Sequence, residues 1–200
     1  MDTFGVADKI KVRELHVGTN PYELFKYIDV NGNDTFILES LSGPREMSEI
    51  SIIGFEPYAR VYSDDRRVHV RYADGSDDSY SVEEVDPLTC VRSITPRIID
   101  DRFRYMGGAV GYISYDAVRY WERLDDRILE DYPYMEFNIY NKGIIYDHGT
   151  SRLYYFGDDA NMEIPYSSHE YSFSSSKPKR SIDKDRFIEM VHTAKEYILS

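Results

Sequence analysis

Apolar positions along the chain switch between a helical and a strand period, and the switches mark out the elements. Asn20-Pro21-Tyr22-Glu23 reads as a helix start, with Asn20 as N-cap, proline at the first helical position and Glu23 able to reach back, after which Leu24, Phe25 and Ile28 share one face. TFILES (35–40) and ISIIGF (50–55) read as strands either side of a turn-like SGPRE. Val68, Val70 and Tyr72 alternate with polar residues up to Asp74-Gly75, and Tyr80 and Val82 alternate after it, which predicts a hairpin with one wet face. Asp86-Pro87 opens a short helix with Leu88, Val91 and Ile94 inward. RYMGGAVGYI (104–113) predicts a buried strand, and Val118, Trp121 and Leu124 a helix directly after it. Met135, Phe137 and Ile139 alternate, and GIIYDH (143–148) and RLYYF (152–156) flank a turn at Gly149.

From Pro165 the composition turns to Ser and Pro, and then Phe187, Met190, Val191, Ala194, Tyr197 and Ile198 mark an amphipathic helix with Ser181 as candidate N-cap. The spacing divides the chain into a region over 1–165, a linker or loop over 166–180, and a helix over 181–200 whose apolar face asks for a cover, as in a larger design. Runs of strands with a few helices, without regular β–α alternation, predict an α+β fold of mostly antiparallel sheets packed as a sandwich.

Composition narrows the function classes. A net charge of −12, from 36 acidic against 24 basic residues in 200, argues against a nucleic-acid partner, which needs clustered Lys and Arg. Cys90 is the only cysteine, so no intrachain disulfide forms. With no apolar leader and no long apolar run, the expectation is a cytoplasmic chain without a membrane span.

Local chemistry is sparse. GGAVGYISYD (107–116) lacks the Gly-Lys-Ser/Thr ending of a P-loop and the G-x-G-x-x-G order, so its glycines read as close packing. The five histidines, His16, His69, His148, His169 and His192, have no zinc spacing. Asp147-His148 reads as a turn entry, because adjacent strand residues point to opposite faces. No catalytic constellation and no metal-ligating set is legible.

Taken together, LES (38–40), SIIGFEP (51–57), GGAVGYISYDAVRYWE (107–122), GIIYDH (143–148) and FIEMVHTAKEYILS (187–200) resemble the N-terminal half of the anthranilate synthase component I family, in order and across nearly the whole chain. The resemblance implies a β-rich region supporting a larger catalytic domain. It implies a reaction that converts chorismate and ammonia into anthranilate and pyruvate in tryptophan biosynthesis, with Mg²⁺ on the catalytic half and a glutamine amidotransferase subunit supplying ammonia in a hetero-oligomer. This half would carry tryptophan feedback, with Leu38, Glu39, Ser40 and Ser51 in the matching places and Ile37 replacing a leucine. Chain 1–200 alone would be inactive. Where the family commonly has a basic residue this chain has Glu49, so a positive charge suited to the inhibitor's carboxylate is missing. Two alternatives share the residues: component I of aminodeoxychorismate synthase, and a stand-alone amino-acid-sensing module.

Overall fold

The computed structural model describes residues 10–31, 34–39, 49–98, 100–123, 132–158 and 179–199. Ser40, Leu124, the SGPRE turn and most of the Ser/Pro-rich segment lie outside the described residues. The chain divides into two units, 1–168 and 169–200.

The first unit is α+β with two antiparallel sheets, as the strand-rich grammar predicts. Its strands are β1 (Lys11–Leu15), β2 (Phe36–Leu38), β3 (Ile50–Gly54), β4 (Ala59–Ser63), β5 (Arg67–Tyr72), β6 (Asp77–Ser81), β7 (Gly108–Ile113), β8 (Met135–Tyr140), β9 (Gly143–Asp147) and β10 (Arg152–Gly157). One sheet runs β1-β10-β9-β3-β2 and the other β6-β5-β4-β8-β7. The chain passes between sheets twice, from β3 to β4 and from β8 to β9.

Each sheet buries a face beneath its own helix. In α1 (Pro21–Asn31) the Asn20 side chain accepts from the Glu23 N–H at 2.9 Å, and Leu24 and Ile28 pack on Ile53, Ile144, Leu153 and Tyr155. In α2 (Pro87–Ile94) Asp86 caps the Thr89 N–H at 2.8 Å. Leu88 is on the solvent side and Cys90 takes the inward place expected of it, because Pro87, Cys90, Val91 and Ile94 follow the helical period and Leu88 falls one step off it.

Cys90 is 1 % exposed, among Val61, Val68, Val70 and Ile139, and burial pushes its thiol up to about 11. At pH 8 almost no thiolate is present. The folded chain is therefore expected to resist an aromatic disulfide reagent at pH 8 for as long as it stays folded, and to react within minutes in 6 M urea at the same pH, read by thiolate absorbance; fast reaction of the native chain would mean that α2 does not seal this core.

Strand β7 departs from expectation. Residues 104–107 stay outside it, and Gly107 turns the chain with φ +89°. Its second half, Tyr112 and Ile113, is exposed because β7 is an edge strand, a difference that apolar runs do not encode. The element after it is a 3₁₀ helix over Tyr115–Tyr120, held by Tyr120 Oη donating to Ser63 Oγ at 2.6 Å and by Trp121 Nε1 donating to Asp86 Oδ2 at 3.3 Å. In the second unit, α3 (Lys184–Leu199) is capped by Asp183, whose carboxylate accepts from the Arg186 N–H at 2.8 Å, and not by Ser181.

Candidate functional site

The first sheet has two faces with different fates. Ile53, Ile144 and Tyr155 lie under α1, while Ile145 and Phe156 lie under Phe103 and Met106, with Ile50, Ile98 and Tyr154 at the margins. Ile98 and the stretch Asp100–Met106 thus form an irregular cover, and its polar residues line a hollow beside it.

Arg102 is fixed within this cover. Its Nε and Nη2 donate to Asp100 Oδ1 and Oδ2 at 3.1 and 3.0 Å, a two-pronged match of guanidinium to carboxylate. That bond holds the Asp100 carboxyl below its usual range. The guanidinium also stands 5.3 Å from the Phe103 ring and 5.9 Å from the Tyr154 ring, so its orientation is constrained from below as well as from the side.

Across the hollow lies the β9–β10 turn. Asp147 Oδ1 accepts from the Gly149 and Thr150 N–H groups at 2.8 and 3.1 Å, the turn-entry role read from the sequence. His148 donates its backbone N–H to Glu49 O at 2.9 Å, and its Nε2 lies 2.8 Å from Ser51 Oγ. The Tyr146 ring meets the imidazole edge-on at 5.0 Å. Glu49, Ile50, Arg102, Phe103, Asp147, His148, Gly149 and Thr150 together line a hollow of about 600 Å³, beside a smaller one of about 240 Å³ that shares Glu49, Ile50, Arg102 and Phe103.

Of the residues singled out in the sequence, Leu38 ends β2, half-exposed and opposite Ile52, and Glu39 follows it, exposed. Ile52 and Ile50 share a face of β3, so Leu38 belongs to the face that carries the hollow. Ser51 is fully buried and points to the other face, where it meets His148, so the strands do not bring Leu38 and Ser51 onto one surface. Ser40 is outside the described residues. Sequence reasoning missed Arg102 and Phe103. The only signal was an aromatic ring between two bases, following two aspartates, in Ile98–Arg104, which has neither period.

A second arrangement has the outline of hydrolytic machinery. His69 Nδ1 lies 3.3 Å from Ser79 Oγ and its Nε2 3.4 Å from Asp64 Oδ2. Arg67 Nε donates to the same Ser79 oxygen at 2.7 Å, which sets its lone pair on a cation and not on a base. These residues belong to the β5–β6 hairpin and its rim, and form a polar ladder on the wet face of the sheet. The glycines of 107–116 also have a structural explanation, because a Cβ on Gly111 would fall on Glu136 O and 2.7 Å from Phe137 Cα, where β7 closes on β8.

Among the described residues, no group of three or more His, Cys, Asp or Glu side chains is placed to hold a metal ion, and no helix is long and apolar enough to cross a membrane.

Residues 33–200 match the family described as chorismate binding enzyme. The chain belongs to that family. It is 29 % identical over 205 residues to anthranilate synthase component 1 of Methanothermobacter thermautotrophicus, covering 99 % of this chain and 43 % of the relative. Against the Saccharolobus solfataricus protein of the same name it is 28 % identical over 195 residues, covering 96 % and 41 %. The chain thus spans about two fifths of the length of the curated relatives it matches. A crystal structure of anthranilate synthase component I from Streptococcus pneumoniae aligns with 91 % of this chain and 35 % of that one, at 17 % identity and a TM-score of 0.42.

Proposed function

We propose that this family member is the N-terminal, inhibitor-binding half of an anthranilate synthase component I. The observation that carries this is collinearity: relatives of that name align over 96–99 % of this chain while giving it only 41–43 % of their own length. The full subunit would form anthranilate and pyruvate from chorismate and ammonia, with a glutamine amidotransferase subunit as its ammonia source. Its Mg²⁺, a hard cation that takes oxygen ligands, would sit on the catalytic half of the full subunit.

The role left to this half is to bind tryptophan, with Leu38, Glu39, Ser40 and Ser51 as the residues concerned. Glu39, exposed after β2, is free to pair the ligand's ammonium group. Ser51 acts from the far face through His148. A ligand at 100 times its dissociation constant stabilises the folded state by about 2.7 kcal/mol, or roughly 5–10 °C for a chain of this size. Tryptophan is expected to raise the melting temperature of chain 1–200 by that amount, and Glu39→Ala to remove most of the rise without changing the ligand-free melting point. The same preparation is expected to yield no anthranilate fluorescence from chorismate and ammonia. An unchanged shift in Glu39→Ala would take Glu39 out of the site, and turnover of chorismate would place catalytic groups within this chain.

A further inference from the structure

The hollow beside the cover holds one fixed cation, Arg102, among acids. Glu49 and Asp147 line it with Arg102, and Asp147 commits one carboxylate oxygen to its turn, so the residues around the hollow carry more negative than positive charge. Such a site disfavours an anion that brings no positive charge of its own. A dicarboxylate such as chorismate is therefore a poor occupant, and a zwitterion with its two charges apart is a good one.

Arg102 is suited to the carboxylate end. Asp100 takes Nε and Nη2, which orients the guanidinium and leaves the Nη1 donors for a ligand. Phe103 beneath it is aromatic and packed against Tyr154 at a ring separation of 5.0 Å, a floor for a flat side chain. Glu49, where the resemblance implies a base, lines the same hollow. The charge lost at that position is thus present in space, supplied from a distant part of the chain.

We propose that Arg102 is the carboxylate anchor of the amino-acid site in this chain, replacing the base absent at position 49. This rests on the amino-acid-binding reading above. It assigns the hollow to an aromatic α-amino acid, with Arg102 on its carboxylate and Phe103 under its ring.

The test is calorimetric titration of chain 1–200 with L-tryptophan, L-phenylalanine and tryptamine, which keeps the indole and ammonium but has no carboxylate. The parent is expected to prefer tryptophan to tryptamine, and Arg102→Gln to weaken tryptophan by about 10- to 100-fold while leaving tryptamine unchanged, since one charge-assisted bond is removed. Because Arg102→Gln also strips Asp100 of its partner, the double variant Arg102→Gln/Glu49→Arg provides the second arm: returning a base to position 49 is expected to restore tryptophan binding. Tryptophan binding that is unchanged in Arg102→Gln, or a loss equal for tryptamine, would overturn the assignment and leave the amino-acid-binding reading standing. If the folded parent binds neither amino acid, that reading fails and the anchor falls with it.

Discussion

Gly111→Ala is expected to destabilise the folded chain by about 3 kcal/mol, lowering its melting temperature by roughly 6–12 °C. The backbone at Gly111 is extended and suits any residue, so the expected cost is steric alone. The added carbon falls on Glu136 O and 2.7 Å from Phe137 Cα, and these are main-chain atoms of β8 that cannot turn aside as a side-chain tip can. Relief requires β7 to move away from β8 and give up part of the ladder that runs from Gly108↔Tyr140 to Ile113↔Met135. Gly18→Ala is the control, since nothing lies within 4 Å of a Cβ there, and its expected effect is within about 0.5 kcal/mol. Urea unfolding of the two variants reads both numbers. Equal stability of Gly111→Ala and parent would show that β7 does not approach β8 as described, and the packing explanation of GGAVGYISYD would fail with it.

Some elements were legible because their signals are local. Asn20-Pro21 and Asp86-Pro87 cap α1 and α2 through their own side chains, and the β5–β6 hairpin turns at Asp74-Gly75, with Gly75 at φ +87°. Others depend on neighbours the sequence does not name. Strand β1, KVREL, has only Val12 and Leu15 as apolar residues, and it is held by pairing Lys11↔Gly157 through Leu15↔Leu153 with β10. The outward turn of Tyr112 and Ile113 follows from the order of strands, with β7 last in its sheet. Ser181 lost the cap of α3 to Asp183 because a carboxylate two residues on reaches the Arg186 N–H, a choice that spacing alone leaves open.

The site divides in the same way. The segment around Leu38, Glu39 and Ser51 was recognisable by residue type and order, but alternation on β3 turns Ser51 away from Leu38, a consequence visible only once the β2–β3 register was known. His148 was legible as part of a turn, and its contact with Ser51 bridges 97 residues of sequence. Arg102 and Phe103 had no period or motif to announce them. They reach the hollow because the cover they belong to fits over Ile145 and Phe156, so tertiary packing decides what lines it.

Two neighbouring isoleucines separate stability from binding. Ile144 and Ile145 are consecutive in β9, both fully buried, and point to opposite faces of one sheet. Ile144 packs with Leu24, Ile28 and Ile53 beneath α1, and Ile145 with Phe103 and Phe156 beneath the cover. Replacing either by alanine removes buried carbons and leaves a cavity. Both losses should fall within about 2–5 kcal/mol by urea titration, since residue type and burial are the same and the facing partners set where in that range each falls. Ligand binding should differ. Ile145→Ala takes the support from under Phe103, on whose ring the Arg102 guanidinium lies, and is expected to weaken tryptophan by about tenfold or more at a temperature where the variant is still folded. Ile144→Ala, with its cavity on the α1 side, is expected to bind as the parent does. Calorimetry at 10 °C reads the difference, and equal weakening in both variants would mean that the sheet transmits packing defects through its full thickness and that the hollow's face has no separate part in holding the ligand.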